Sequence, residues 1–275
     1  MKLRKRGQIA EGQDGAIWNQ YLFRFNSRGY CYVYDLDTLG LMTEFCLDGV
    51  DVWMPHSNSV MFGNEYYAEG DEFPLLYTNV YNTYGGEENR REGVCCVYRI
   101  TRQENSFRGQ LVQTITVGFV KDETLWCSTG ETDVRPYGNF VIDRERGIYY
   151  GFTMRDEAGS SRYFAFRLPT LNEGNAVTLT QADILFFFDC PYHRYVQGAT
   201  VYQGKIYSLE GFSDSADNPP ALRIIDPEAK KQLCYVPFSE FGTNIEPELI
   251  DFRGDCCYYA DCYGNLYTIE ENAYV

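Results

Sequence analysis

The chain has 275 residues, 44% hydrophobic and 16% aromatic, so it is too apolar to be disordered and long enough to bury a sizeable core. A formal net charge of −15 repels phosphate backbones and argues against nucleic acid as a partner. No run of about 18 apolar residues occurs, so no membrane span is expected. The cationic start MKLRKRGQIAEG leads into no apolar segment, so no secretory signal is read there and a cytoplasmic location is expected.

Helical periodicity is almost absent; short apolar runs alternate with Gly, Asn, Asp and Pro. Taken in chain order, the runs fall into units. The first unit reads DGAIW, YLFRFNSRG, VYDLDT and LMTEFCLD, and the second reads SNSVMFG, PLLYTNVYN, VYRITR and LVQTITVGF. GNFVID, GIYYGFTMRD, AFRLPT and DILFFFD form the third, and QGATVYQG, KIYSLEGFSD, IIDPEA and LCYVPFS the fourth. The fifth supplies only EPELIDF, CCYYADCYG and LYTIEE before the sequence stops at NLYTIEENAYV.

Four strands per unit, repeated radially, predict an all-β, five-bladed β-propeller spanning 1–275 as a single domain. An incomplete last blade leaves a costly open edge, and the N-terminal segment around KLRKRGQIA is the natural strand to complete it. A ring closed in this way needs no partner for its core, so a monomer is expected. The second unit is the longest, and its excess lies in 82–93 and 120–136, which read as loops. A sixth blade would have to use TLWCS within the second of these, and five blades are expected.

By pattern, the chain resembles five-bladed propellers over nearly its whole length. Within that class, QGA, GKIYSLEG and EPELIDF look like segments of phage receptor-binding and teichoic-acid-related propellers. It departs from the five-bladed glycosidases, whose three carboxylates on successive blades have no counterparts here. The resemblance therefore implies an architecture and no catalytic residue.

In a propeller the innermost strand of each blade lines the central channel, and the residues leading into it face one mouth. Those residues are Gln13 and Asp14, then His56 and Asn58, then Arg135, Tyr137 and Asn139, then Gln197, then Glu246 and Glu248. All are polar and stand directly before apolar runs, the usual form of a small-molecule site. The same residues also suit a structural plug that ties blades together, with Arg135 as counter-ion to Glu246 or Glu248.

Other features carry less. The ten cysteines include no CxxC pair and read as small buried thiols; with only His56 and His193 available, no zinc site and no cofactor are expected. DSADN at 214–218 lacks the glycine and terminal glutamate of a calcium loop and reads as a solvated turn. Tyr66, Tyr67, Phe73, Tyr77 and Tyr81 form either core or a glycan-binding face, with core the expected role.

Three functions fit this pattern. First comes binding of a small polar ligand, carbohydrate included, at the channel mouth. A protein-interaction scaffold using the long loops of the second blade is next. A glycoside-hydrolase-like enzyme is third, with catalysis by Glu246, Glu248 and Asp14; i and i+2 of one strand lie about 7 Å apart, a spacing suited to an inverting mechanism.

Overall fold

The computed structural model describes residues 1–80, 94–117, 139–155, 159–191 and 195–270. Arg135, Tyr137, His193, Tyr81 and both long loops of the second unit lie outside the described residues.

Five antiparallel blades form a β-propeller, each beginning with its innermost strand. Blade one holds β2 (Gly15–Trp18), β3 (Tyr21–Phe25), β4 (Tyr30–Asp35) and β5 (Leu41–Cys46). Blade two holds β6 (Val60–Phe62), β7 (Leu76–Val80), β8 (Val94–Gln103) and β9 (Ser106–Val117). β10 (Phe140–Asp143), β11 (Ile148–Arg155), β12 (Ser160–Arg167) and β14 (Ile184–Pro191) make blade three. Blade four consists of β15 (Val196–Tyr202), β16 (Lys205–Glu210), β17 (Ala221–Asp226) and β18 (Lys231–Pro237).

Blade five has β19 (Pro247–Arg253), β20 (Cys256–Asp261) and β21 (Asn265–Glu270), and takes its outer strand from the N-terminus, β1 (Lys2–Gln8). β1 pairs antiparallel with β21 from Lys2 opposite Glu270 to Gln8 opposite Asn265. Ile9 extends the clasp, its N–H donating to Gly264 O at 2.9 Å. A Cβ on Gly264 would stand 2.3 Å from Ile9 O, and its φ is 79°, so both space and backbone call for glycine there.

One strand escapes the four-per-blade pattern. β13 (Ala176–Leu179), within the connection from β12 to β14, leaves its own blade and pairs parallel with β9 of blade two. It covers the outer edge of β9, and Gln113 Nε2 supports the crossing by donating to Thr170 O and Gly174 O.

Neighbouring blades pack through aromatic residues. Phe23 of blade one meets Phe62, Phe73 and Phe107 edge-on at 5.3, 5.5 and 5.7 Å. Between blades four and five, Tyr202 stacks on Phe252 at 4.0 Å. Each such contact adds about 0.5–1.5 kcal/mol beyond area burial. Phe73 and Tyr77 are therefore core residues, whereas Tyr66 and Tyr67 are exposed, with the Arg99 guanidinium 4.7 Å from the Tyr67 ring centroid. None of the nine described cysteines forms a disulfide; Cys31, Cys95, Cys96, Cys190 and Cys257 are buried. No helix among the described residues is long and apolar enough to cross a membrane.

Since β1, alone among the described residues, covers the outer edge of β21, deleting residues 1–9 exposes that edge and unlocks the ring. A fall in melting temperature of at least about 10 °C is expected by differential scanning calorimetry. Melting at the wild-type temperature would mean that the blade closes without its N-terminal strand.

Candidate functional site

The residues leading into the inner strands converge at one end of the channel, and most are engaged with a neighbouring blade. Asp14 is fully buried; its Oδ2 accepts from Val60 N at 2.9 Å, joining blade one to blade two. Asn79, on β7, donates through Nδ2 to Asn58 Oδ1 at 2.5 Å and to Asn139 Oδ1 at 2.8 Å. Asn58 and Asn139 both donate in turn to Val196 O at 3.4 Å, so three amides tie blades two, three and four together. His56 donates its backbone N–H to Asn79 O at 3.0 Å, and burial lowers its imidazole pKa.

The other side of the mouth belongs to blades four, five and one. Gln197 Nε2 donates to Glu246 Oε1 at 2.7 Å and to Gly211 O at 3.2 Å. Gln13 Nε2 donates to Glu248 Oε1 at 3.3 Å. The two glutamates thus face different neighbours, Glu246 toward blade four and Glu248 toward blade one.

Local backbone explains this split. The β15–β16 pairing shifts register between Val196 and Gly198, and the β19–β20 pairing shifts between Pro247 and Leu249. Gln197 and Glu248 are the residues at those irregularities, where an extra residue twists a strand and re-aims its side chain. The simple i, i+2 relation of Glu246 and Glu248 along a regular strand is therefore broken. Between the two bulges the strands almost touch: a Cβ on Gly198 would lie 2.4 Å from Glu248 O and 3.1 Å from Asp14 Oδ1. Glycine at 198 is what permits that approach.

Below the mouth sits a residue that the strand-leading pattern does not include. Arg24, on the second strand of blade one, is fully buried, and its Nη2 donates to Gly12 O at 2.9 Å and Asp261 O at 2.8 Å. Glu248, Asp14 and Asp261 attract its charge, against the burial that lowers its pKa. Among the described residues it is the cation whose charge acts on Glu248. Its signal in the sequence is a charge inside the apolar run YLFRF, where alternation alone points it inward.

Two carboxylates for one guanidinium leave an imbalance. Burial raises Asp14 and Glu248 well above the ordinary carboxylate range, more than Arg24 draws them down. Asp14 Oδ1, Glu248 Oε2 and Arg24 Nε and Nη1 are buried without a hydrogen-bond partner among the described residues. Glu246 differs from these. It is partly exposed at the lip, burial alone raises its pKa, and no described cation pairs with it. Ser213 Oγ accepts from Glu246 N at 2.8 Å, and Cys262 donates its N–H to Glu246 O at 2.9 Å, which fixes the glutamate backbone. Burial also pushes the Cys262 thiol up to about 11, with Glu248 and Glu246 adding to the effect. The described residues contain no cluster of three or more metal-ligating side chains.

No family model matches the chain, and neither does any curated protein. Among solved structures it is similar to the glutaminyl cyclase of Myxococcus xanthus, with 11% identity, a TM-score of 0.52, and coverage of 98% of this chain and 94% of that one. Saccharomyces cerevisiae Sqt1 aligns at 8% identity and a TM-score of 0.39, over 92% of this chain and 56% of its own. The cyclase likeness shows the propeller fold.

Asp14 and Glu248 have folded pKa values above their unfolded ones, so each holds its proton more tightly in the folded state. Their contribution to stability is complete below the unfolded carboxylate values and is lost as pH rises through the folded ones. Their share of the unfolding free energy is expected to fall from about pH 4 upward, by about 1.4 kcal/mol per pH unit for each group titrating only in the unfolded state, against the lowered carboxylates Asp35, Asp37, Glu173 and Asp226, whose share rises. Glu248→Gln cannot ionise and should flatten this slope in urea melts run across pH. An unaltered slope would show that Glu248 keeps its charge in the fold.

Proposed function

We propose that the channel mouth at Glu246 binds a small polar ligand offering hydrogen-bond donors, such as the hydroxyls of a carbohydrate, an amine or an amide. The observation that carries this reading is the isolation of Glu246. Asp14, Asn58, Asn139 and Glu248 are occupied between blades, while Glu246 reaches the lip with one oxygen held by Gln197 and no described cation beside it. Partial burial makes a donor presented there worth more than the same contact in open water. Arg24 beneath supplies a fixed positive charge that keeps this acidic mouth from being purely repulsive to an anion-bearing ligand.

A second reading, acid–base catalysis, draws support from the raised pKa of Glu246 and from the fold it shares with the glutaminyl cyclase. Cyclisation of a glutaminyl residue joins its own amine nitrogen to the side-chain carboxamide carbon and expels ammonia. The proton lost by the attacking amine must reach the departing nitrogen, and a single carboxyl can carry it. A pKa raised by burial suits such a carrier. Glycoside hydrolysis ordinarily needs two carboxyls flanking one bond. Glu248, with Arg24 below it and Gln13 on its Oε1, is poorly placed to be the second.

Both readings make Glu246 the contact residue, and one series of measurements tests them. Thermal shift of the wild type against sugars, amines and amides is expected to give at least one stabilising ligand that Glu246→Gln loses. With a glutaminyl naphthylamide as substrate, the catalytic reading expects turnover that falls about 10²–10⁴-fold in the same variant. Equal shifts in both proteins would remove Glu246 from the site. No shift with any ligand, and no turnover, would move the function to a protein partner on the outer loops.

A further inference from the structure

The inner strands have a second set of ends. β10, β15 and β19 leave the channel at the face opposite Glu246 and turn through 144–147, 203–204 and 254–255 into their second strands. A cleft of about 300 Å³ opens there, lined by residues that include Asp143, Arg144, Glu145, Tyr202, Phe252 and Asp255. That volume is at the lower end of what small-molecule pockets occupy.

Its walls have two kinds of surface. One is aromatic: Tyr202 and Phe252 lie parallel, 4° apart in plane, with Tyr207 edge-on to Phe252 at 5.0 Å. Aliphatic Val201 adjoins them. The other is anionic, with three carboxylates, Asp143, Glu145 and Asp255, against Arg144. Arg144 is directed to the Trp18 ring, 5.6 Å from its centroid, and its charge also acts on Asp251. Arg146 lies between Asp143 and Glu228, at 3.7 and 2.9 Å. The local balance is therefore negative.

Asp143 is the feature that distinguishes this cleft from a merely acidic surface. It is 1% exposed, and its Oδ1 accepts the turn N–H groups of Glu145 and Arg146 at 3.1 and 3.0 Å. Its Oδ2 is buried with no hydrogen-bond partner among the described residues, the nearest charge being Arg146 Nε beyond hydrogen-bonding reach. Arg146 meets its charge at ion-pair range only, so this buried oxygen lacks a hydrogen bond that a donor brought by a ligand would supply. Asp255 is held ready as well, since its Oδ1 accepts from the Tyr202 hydroxyl at 2.5 Å.

We infer that this distal cleft is a binding site for a small organic cation, its ammonium among Asp143, Glu145 and Asp255 and its apolar body against Tyr202 and Phe252. The inference is independent of the function placed at Glu246. Tyramine is a suitable probe, because 4-ethylphenol keeps its ring and loses its charge.

Isothermal titration calorimetry on the full chain should show saturable tyramine binding, with 4-ethylphenol at least about tenfold weaker. The double variant Glu145→Gln/Asp255→Asn alters two exposed side chains and should keep the wild-type melting temperature while weakening tyramine about fivefold to tenfold. Glu246→Gln, which disables the mouth, should keep the component of tyramine binding that the double variant loses. Equal affinity for the two probes, a double variant that binds tyramine as the wild type does, or no saturable binding at all would each overturn the site.

Discussion

Every innermost strand of a propeller has a hydrogen-bonding neighbour on one side only. Its other row of N–H and C=O groups faces the channel, where the blades crowd together, and a buried backbone group must still be paired. Here the pairing comes from side chains of adjacent blades. Ile17 N of β2 donates to Asp251 Oδ2 on β19, and Val60 N of β6 donates to Asp14 Oδ2. Ile142 N of β10 meets Met61 Sδ, and Val196 O of β15 accepts from Asn58 and Asn139. Asp251 also accepts from Thr200 Oγ1, so one carboxylate holds blades five, one and four. Polar side chains and one thioether thus pair the channel-facing backbone, and aromatic contacts pack the blades against one another.

That constraint sorts the polar residues of the mouth. A carboxylate or amide that satisfies a neighbouring blade's backbone cannot leave it for a ligand without exposing a buried donor, at a cost of about 1–3 kcal/mol. Asp14 and Asn58 are bound in this sense. Glu248 is bound in another, because it is buried beside Arg24 and Asp14 and its Oε1 accepts from Gln13. Removing one partner of such a group costs far more than the group's net contribution to stability. The polar plug lies below, and Glu246, where we propose the ligand site, stands at the lip.

Much of the fold was legible because each unit repeats four short runs, and the strand missing from the fifth unit pointed to the N-terminus. The β1–β21 ladder matches that count. β13 was not legible, since AVTL is too short to stand out and its partner β9 belongs to another unit. At the mouth, the position of each residue before its strand predicted convergence but not contacts. Alternation assumes a regular pleat, and the register shifts at Gln197 and Glu248 break it in the two strands that matter most. Arg24 sits on a second strand and so falls outside the pattern of strand-leading residues, although a lone charge in YLFRF marks it. Arg135 and Tyr137 lie outside the described residues, so their part in the mouth stays with the sequence.

The two ends of the channel follow from the direction of the inner strands. At their starts the strands are brought in by loops from neighbouring blades, and the residues there must reconcile five converging backbones. Asn58, Asn139 and the bulged Gln197 and Glu248 do this. At their ends four of the five strands turn back within their own blade through a short hairpin, while β6 reaches β7 through the longer segment 63–75. Tight turns satisfy their own backbone, as Asp143 does by accepting from Glu145 and Arg146 N–H. Side chains at that face still tie blades, as Asn64 does by donating to Arg144 O and Arg146 by pairing with Glu228, but aromatic and charged groups there line a cleft rather than fill it. A closed ring therefore concentrates its structural polarity at one mouth and leaves a less occupied surface at the other.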